Sequence, residues 1–232
     1  MNRYLFLIFF LIGNFAASSQ TKEEEKKVSK TYFGVHFSPT SPLNLIQKTN
    51  VLSEVDGVLY EINSKMGHSF GMEVRHDFNK IFSLQTGLSY VRRNYDFKAN
   101  LDTLFENRMQ FVGYEIPVMM LAYLRLTKHI YMDNSIGFSA NFYPTDIATE
   151  HVYGFANRWY QFAMNVNVGW DFRTENSGYF FLGASYHLQL NNALYLAFYE
   201  DENFVAEKVR LGVKGSYFAI NFKYFFPQRE KE

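Results

Sequence analysis

The stretch Trp159–Asn191, WYQFAMNVNVGWDFRTENSGYFFLGASYHLQLN, alternates between two kinds of residue. From Tyr160 to Phe172 the even positions are aromatic or aliphatic, whereas the odd positions are mostly Gln, Ala, Asn, Gly and Asp. After a polar turn at 174–178, the same alternation resumes as far as Leu190. A period of two over this length predicts β-strands, and the tight turn predicts that they form a hairpin.

The same period recurs along the chain and predicts about eight strands. Many of them are close to the ~10 residues that cross a bilayer when a strand is tilted. The predicted strands are Thr31–Ser38, Met66–Asp77, 82 to about 95, Arg108–Leu126, His129–Phe142, the two hairpin strands and Ser216–Phe226. Short and long connections alternate between them, which is typical of an up-and-down barrel with all its short turns on one side.

The composition of the two strand faces favours a membrane barrel over a soluble one. One face carries columns of Phe, Leu, Ile, Val and Met, and the other is mostly Gly, Ser, Asn, Gln and Ala. A face exposed to water would be rich in Lys, Glu, Arg and Thr, whereas small neutral residues suit a narrow lumen. We therefore predict an all-β fold, a transmembrane antiparallel β-barrel of about eight strands, with its apolar face towards lipid.

The N-terminus has the features of a secretion signal over residues 1–20. Arg3 precedes the apolar run 4–12, and small residues at 16–19 predict cleavage between about residues 17 and 20. A charged tail follows at 21–30, the barrel is expected over 31–226, and residues 227–232 form a C-terminal tail. Because the strand number is even, both termini are expected in the periplasm, with the barrel in the outer membrane.

Charge and cysteine content exclude several classes of function. The chain has 23 basic and 23 acidic residues, and this zero net charge argues against a nucleic-acid partner. It has no Cys, which excludes disulfides, zinc–thiolate sites, thiol nucleophiles and a lipid-modified N-terminal cysteine. Aromatic residues make up 19% of the chain, which suits strands and membrane interfaces.

Several segments resemble one family of barrels. Gly113–Leu124, GYEIPVMMLAYL, resembles the strand motif YLEIPLLLKY of the PorT-type outer-membrane β-barrel proteins common in Bacteroidetes. Gln85–Tyr90 and Tyr32–Phe37 are similar to that family's preceding and opening strands, and Tyr217–Phe226 to its C-terminal assembly signal, although Pro227–Glu232 follows here. The resemblance implies a barrel in the outer membrane over nearly the whole mature chain. One branch of the family takes part in protein secretion.

Charged residues on the predicted lumen face are the first candidate site. Because buried charges must be paired, we expect a structural network that fills the lumen; the alternative is a set that guides an ion through a narrow channel. The residues are Glu73, Arg75, Glu115, Asp133, Asp171 and Lys223. Pro117, beside Glu115, is expected at a bulge or at a lost ladder bond.

Other polar residues give weaker signals. His36 and His187 could point into the lumen as metal ligands, and Ser69 beside His68 could serve a lipid-modifying enzyme. Neither spacing assigns a catalytic, cofactor-binding or metal residue. Four arginines are expected at the outer ends of strands, either binding lipopolysaccharide phosphates or as solvated charge: Arg92, Arg93, Arg108 and Arg158.

The long connections 39–65 and 192–215 contain apolar runs such as LNLI and ALYLAFY. Either these runs bind an envelope or secretion protein, or the strands continue beyond the membrane and the runs pack on one another. The expected role is structural or in an interaction through these loops, with outer-membrane lipid and lipopolysaccharide as surroundings, no cofactor and no enzymatic activity. Alternatives are an accessory component of a protein-secretion machine, a lipid-modifying enzyme and a narrow channel.

Overall fold

The computed structural model describes residues 30–43, 46–100, 104–144, 146–149, 152–174, 177–199 and 207–227. The predicted signal peptide, the charged tail before Lys30 and residues 228–232 lie outside the described residues. The described ranges contain strands and turns, and no helix among them is long and apolar enough to cross a membrane.

Thirteen strands are present in the described ranges. Their bounds are β1 Lys30–Ser41, β2 Val51–Val55, β3 Val58–Asp77, β4 Phe82–Asn100, β5 Leu104–Arg125, β6 Ile130–Phe142, β7 Ile147–Thr149, β8 Val152–Ala156, β9 Tyr160–Arg173, β10 Tyr179–Gln189, β11 Asn192–Tyr199, β12 Glu207–Lys214 and β13 Tyr217–Phe225. Eight of them form a ring in the order β1, β3, β4, β5, β6, β9, β10 and β13. Every neighbouring pair is antiparallel, and β13 pairs with β1 to close the ring. The predicted all-β barrel is confirmed.

The register sets the tilt of the barrel strands. A path along register partners that starts at Tyr114 on β5 returns to β5 at Leu124, ten residues further along, through Tyr90, Phe70, Phe37, Phe222, Leu182, Trp170 and Met132. A stagger of this order accompanies strands tilted by about 35–45°. In a barrel of eight strands, the interior is then just wide enough for side chains.

The two faces of the barrel differ as the sequence predicts. On the outside, large apolar side chains are exposed, for example Phe33 at 63% and Phe138 at 62%. On the inside, the buried side chains are mainly Ser, Gln, Asn, Glu, Asp and Arg. We call the end with the three tight turns and both strand termini the turn end, and the opposite end the loop end.

Both faces change character towards the loop end. On β4, the outward positions are mostly apolar as far as Tyr90 and polar from Arg92 onwards, and the inward side becomes apolar from Tyr95 to Ala99. An apolar outside suits lipid, whereas a polar outside around an apolar core suits water. The strands therefore pass from a membrane-spanning half into a water-exposed half.

A bulge on β3 keeps this change consistent between neighbouring strands. The register with β4 shifts between Lys65 and His68, so that Met66 and Gly67 together oppose one residue. One extra residue reverses which side chains point inwards. Below the bulge, the inward residues of β3 have odd numbers, such as Glu73 and Arg75. Beyond it they have even numbers, such as Tyr60 and Ile62, so that apolar side chains enter the core of the water-exposed half.

Beyond the membrane-spanning half, the strands form a β-sandwich. The upper parts of β3, β4 and β5, together with β2, pack against a second sheet in the order β12, β11, β8, β7. We call this unit the sandwich. Its core contains Tyr60, Phe97, Phe111, Leu196, Phe198 and Val213, among others. The rings of Tyr60 and Phe198 lie 4.8 Å apart and join the two sheets.

Most of these connections are therefore strands rather than long loops, and for the apolar runs the second alternative, strands that continue beyond the membrane and pack on one another, is confirmed. Residues 39–65 contain the end of β1, all of β2 and the start of β3, and residues 192–215 contain β11 and β12. Strands β4 and β5 also extend through most of 96–107, and β7 and β8 lie within 143–157. Most of the apolar runs that had suggested a partner pack on one another, because each strand turns one face into the sandwich core.

Replacing Phe111 by Ala tests the sandwich core. The Phe111 side chain is fully buried, so the cavity left behind should lower the free energy of unfolding by about 3–5 kcal/mol. Urea unfolding in detergent micelles measures the change. Leu52→Ala is the matched control, because Leu52 is 67% exposed on the same unit and should change little. Equal stabilities for the two variants would contradict a packed core.

Candidate functional site: the filled lumen

Polar side chains fill the membrane-spanning half of the barrel in three layers. A strand alternates its side chains, so each of the eight strands sends every second residue into a narrow interior. Charged groups placed there cannot reach bulk water and must find partners among themselves. We name each layer after one of its charged residues, as the Arg75 layer, the Lys223 layer and the Glu115 layer.

The Arg75 layer lies nearest the turn end. Arg75 Nη1 donates to the two carboxylate oxygens of Asp171 at 2.9 and 3.2 Å, and Nη2 donates to Asp133 Oδ2 at 3.2 Å. Nε and Nη2 also donate to Gln85 Oε1 at 2.9 and 2.8 Å. Arg75, Asp133 and Asp171 are all 0% exposed. Arg75 on β3 is thus paired with two carboxylates, one on β6 and one on β9.

Aromatic rings and a second arginine complete this layer. The Arg75 guanidinium carbon lies 4.2 Å from the ring centre of Phe225, a cation–π contact with the last strand. Arg173 lies 4.6 Å from the Tyr123 ring and 3.4 Å from Asp171 Oδ2, which supplies further positive charge. With these rings around the guanidinium, the described side chains obstruct the turn end of the lumen.

Two glycines make room for an inward-pointing phenylalanine. Gly169 on β9 and Gly183 on β10 are register partners, and Phe181 Cζ lies 2.5 and 2.4 Å from where their Cβ atoms would be. A side chain at either position would collide with this ring. The small residues on the lumen face therefore allow large side chains from neighbouring positions to cross the interior.

The Lys223 layer occupies the middle of the lumen. Lys223 Nζ donates to Glu73 Oε1 at 2.9 Å, and His36 Nδ1 lies 3.4 Å from the same oxygen. Neutral hydrogen bonds continue across the barrel: Ser38 Oγ donates to Asn221 Oδ1 at 2.8 Å, and Asn221 Nδ2 donates to Asn167 Oδ1 at 3.1 Å. These bonds connect β1, β3, β9 and β13.

The Glu115 layer lies below the sandwich core. Arg93 Nη2 donates to Glu115 Oε1 at 2.8 Å, and the Tyr217 hydroxyl donates to Glu115 Oε2 at 2.8 Å. His187 stacks on the Tyr217 ring at 4.5 Å, with its Nδ1 at 3.6 Å from Glu115 Oε2. Gln189, which is fully buried, continues the network from this layer. Above it, the apolar sandwich core obstructs the loop end.

A cavity of about 90 Å³ lies between the Lys223 and Glu115 layers. Glu73, Glu115, His36, His187 and Lys223 are among its lining residues. Three buried polar atoms on this lining accept or donate no hydrogen bond within the described chain: His36 Nδ1, Glu73 Oε2 and His187 Nδ1. A polar cavity of this kind holds ordered water in proteins.

The structure places all six predicted lumen charges inside the barrel, but in three separate groups. Arg75, Asp133 and Asp171 meet, Glu73 meets Lys223, and Glu115 lies apart in the third layer. Sequence reasoning missed the partner of Glu115. Arg93 is predicted at the solvated rim, and that prediction is wrong, because its guanidinium is buried beside Glu115. Its odd position on β4, shared with Ser83, Gln85 and Ser89, was a signal for an inward direction.

Ser69 and His68, which are adjacent in the sequence, are not brought together in the structure. The two residues are adjacent on β3, so their side chains point to opposite faces of the strand. His68 lies outside against Phe70 and Tyr90, whereas Ser69 Oγ lies inside, 3.4 Å from His36 Nε2. Ser69, His36 and Glu73 thus follow one another in space. Within the described ranges, no three His, Asp or Glu side chains form a metal-ligand group.

Pro117 interrupts the pairing between β4 and β5 without a bulge. The register is the same on either side of the interruption, at Ser89 with Glu115 and at Thr86 with Val118. The Thr86 hydroxyl donates to the Pro117 carbonyl at 2.8 Å. A lost ladder bond, one of the two expected outcomes, is therefore found here.

Replacing Arg93 by Met tests the Glu115 layer. The variant leaves the Glu115 carboxylate buried without its cation, which should lower the free energy of unfolding by about 3–5 kcal/mol. Arg92→Met is the control, since the neighbouring residue points outwards and should change stability by less than about 0.5 kcal/mol. Urea unfolding in a neutral detergent measures both variants. An Arg93→Met protein as stable as Arg92→Met would contradict the buried ion pair.

Comparisons with known proteins agree with this architecture. The crystal structure of the outer membrane protein OprG from Pseudomonas aeruginosa superposes with a TM-score of 0.55 at 10% identity, over 89% of this chain and 100% of that chain. The structure of the Yersinia pestis outer membrane protein Ail in a phospholipid bilayer nanodisc gives a TM-score of 0.36 at 13% identity, over 85% and 100% of the two chains. The first likeness concerns the fold alone, and the second is too weak to support an inference.

Among curated proteins, none matches this chain. The family model described as outer membrane protein beta-barrel domain matches residues 18–195, which is most of the chain. Together with the closed antiparallel barrel and its apolar outer face, this match places the protein in the outer membrane. The chain belongs to the outer membrane protein beta-barrel domain family.

Proposed function

We propose that this protein is a non-conducting outer-membrane barrel that presents the sandwich outside the cell as an interaction surface. The observation that carries the proposal is the filled lumen. The Arg75 layer obstructs one end and the sandwich core the other, so the interior has a structural role. What remains for interactions is the water-exposed surface of the sandwich.

The proposed orientation follows from the lengths of the connections. The turn end carries three short connections, those that follow Asp77, Arg125 and Arg173, and the loop end carries the sandwich. Outer-membrane barrels have short periplasmic turns and longer extracellular connections. Both termini then lie in the periplasm, and the sandwich extends from the outer surface of the membrane.

Residues 39–65 offer the better partner surface of the two segments that the sequence singles out. Leu52 and Leu59 are 67% and 41% exposed on the outward face of the β2–β3 hairpin. Their register partners on that face are Glu61 and Glu54, so the hairpin presents leucines beside carboxylates. Among the described residues of 192–199 and 207–215, by contrast, most apolar side chains are buried and Glu207 and Arg210 are on the surface. We propose that an envelope protein binds this hairpin.

The resemblance to PorT-type barrels supports one specific version of this role. In that version, the protein is an accessory component of a secretion machine, and the hairpin binds a larger component. Cross-linking in native outer membrane distinguishes it from a free-standing barrel. Large secretion components would be recovered with the wild-type protein and lost with Leu52→Glu.

A lipid-modifying enzyme is the second candidate, because of one arrangement in the lumen. Ser69, His36 and Glu73 stand in the order of a nucleophile, a base and an orienting carboxylate, with 3.4 Å at each step. Two features oppose catalysis: Glu73 already accepts a bond from Lys223, and the layers obstruct access for a lipid. Labelling of Ser69 by a fluorophosphonate probe, absent in Ser69→Ala, would favour the enzyme over the scaffold.

Single-channel recording in a planar bilayer tests the filled lumen. The wild-type protein should insert without producing conductance steps, because three bonded layers leave no continuous path. A porin added to the same bilayer serves as the positive control. Discrete steps from the wild-type protein, at salt concentrations where the porin conducts, would contradict the proposal and favour a narrow channel.

A further inference from the structure

On the outside of β3, β4 and β5, a row of aromatic rings ends the apolar belt. Phe70, Tyr90 and Tyr114 are register partners, with ring centres 4.9 and 6.0 Å apart. Aromatic side chains of this kind lie at the level of lipid headgroups. Residues in the next rows towards the loop end therefore lie at or just above the membrane surface.

Those next rows carry more positive than negative charge. Arg92 pairs with His68 in the first row, Lys65 follows in the second and Arg108 in the third. Asp96 is the one carboxylate in these three rows, at 2.9 Å from Arg108 Nε and 3.3 Å from Lys65 Nζ. The hydrogen bond from Arg108, together with Lys65, lowers the pKa of Asp96. Three cations and one carboxylate leave two positive charges.

Arg92 is the cation without a counter-charge in this group. Within the described chain its guanidinium forms no ion pair, and its Nε is buried without a hydrogen-bond partner. It shares the outward face of β4 with Tyr90, two residues earlier, at the edge of the lipid-facing belt. An arginine guanidinium can donate two parallel hydrogen bonds to a phosphate. These charge-assisted bonds are stronger than hydrogen bonds between neutral groups.

We propose that Arg92, with Lys65 and Arg108, binds the phosphate of an anionic lipid headgroup. The two excess positive charges favour a phosphate as the ligand. Because the site borders the apolar belt of the barrel, a phosphate that is attached to acyl chains fits it better than a free one. The chains would lie along Leu88, Tyr90 and Tyr114, and the phosphate would meet Arg92 above them. In the orientation proposed above, this leaflet is the outer one, where lipid A carries the phosphates.

Native mass spectrometry of the purified full-length protein in a neutral detergent tests this site. Lipid A is titrated in, and bound molecules are counted after release from the micelle. Arg92→Gln should weaken lipid A binding about tenfold, since a charge-assisted bond is lost, and Lys65→Gln with Arg92→Gln and Arg108→Gln should weaken it further. Arg92→Lys keeps the charge but not the paired donors, so its affinity for lipid A should lie between those of the wild type and Arg92→Gln.

Arg210→Gln is the matched control, because Arg210 is an exposed arginine on the second sheet of the sandwich. It loses the same charge and should bind lipid A as the wild type does. The shift of the folded barrel on unheated gels verifies that each variant is folded. Wild-type binding in the triple variant, an equal loss in Arg210→Gln, or equal occupancy by inorganic phosphate would overturn the proposal. Lipid A binding and channel conductance are measured independently. A protein that does not bind lipid A at this site can therefore still be a non-conducting barrel.

Discussion

The buried contact between Arg75 and its two carboxylates is the interaction on which the barrel interior depends. Arg75 on β3 contacts Gln85 on β4, Asp133 on β6, Asp171 on β9 and Phe225 on β13. A charge with no access to water needs nearly ideal partners, and removing one of them leaves the rest uncompensated. The guanidinium therefore joins strands that lie far apart in sequence and across the lumen from one another. It also explains why the turn end is obstructed by side chains rather than by a loop.

A change of solvent along each long strand explains the rest of the architecture. In the membrane-spanning half, the outer face contacts lipid, and the inner face carries polar or small residues. In the water-exposed half, the outer face contacts water, and the inner face forms an apolar core. The β3 bulge at Met66 and Gly67 lies at the level of this change. It allows one strand to be polar inside at Arg75 and apolar inside at Tyr60.

The barrel could be predicted because its signal is local. Alternation of residues from Tyr160 to Phe172 assigns Asp171 to the lumen face, and alternation in His129–Phe142 does the same for Asp133, without any knowledge of their partners. Which carboxylate meets which cation depends on the register around the ring, which no single strand determines. Arg93 was misplaced because an arginine near a strand end suggests solvent, although its parity on β4 indicated the lumen.

The sandwich was not predictable in the same way. For segments 39–65 and 192–215 the sequence leaves loops and continuing strands as alternatives, because short strands interrupted by polar turns lack a long period. The ring of Phe198 packs against Tyr60 on β3 and Phe97 on β4, about a hundred residues or more away in the chain. An apolar run without a visible partner suggests a binding surface, whereas the partner here is another part of the same chain. The exposed leucines of the β2–β3 hairpin remain outside this core.

The unfolding free energy of Arg75→Met, measured by urea titration in detergent micelles, tests whether the barrel interior depends on the buried guanidinium. A loss of about 3–5 kcal/mol is expected, because Asp133 is left buried without its cation and Asp171 keeps only the longer contact with Arg173. Adding Asp133→Asn and Asp171→Asn to this variant should restore much of the loss, since the uncompensated charges are removed. An Arg75→Met protein within about 0.5 kcal/mol of the wild type would contradict the account.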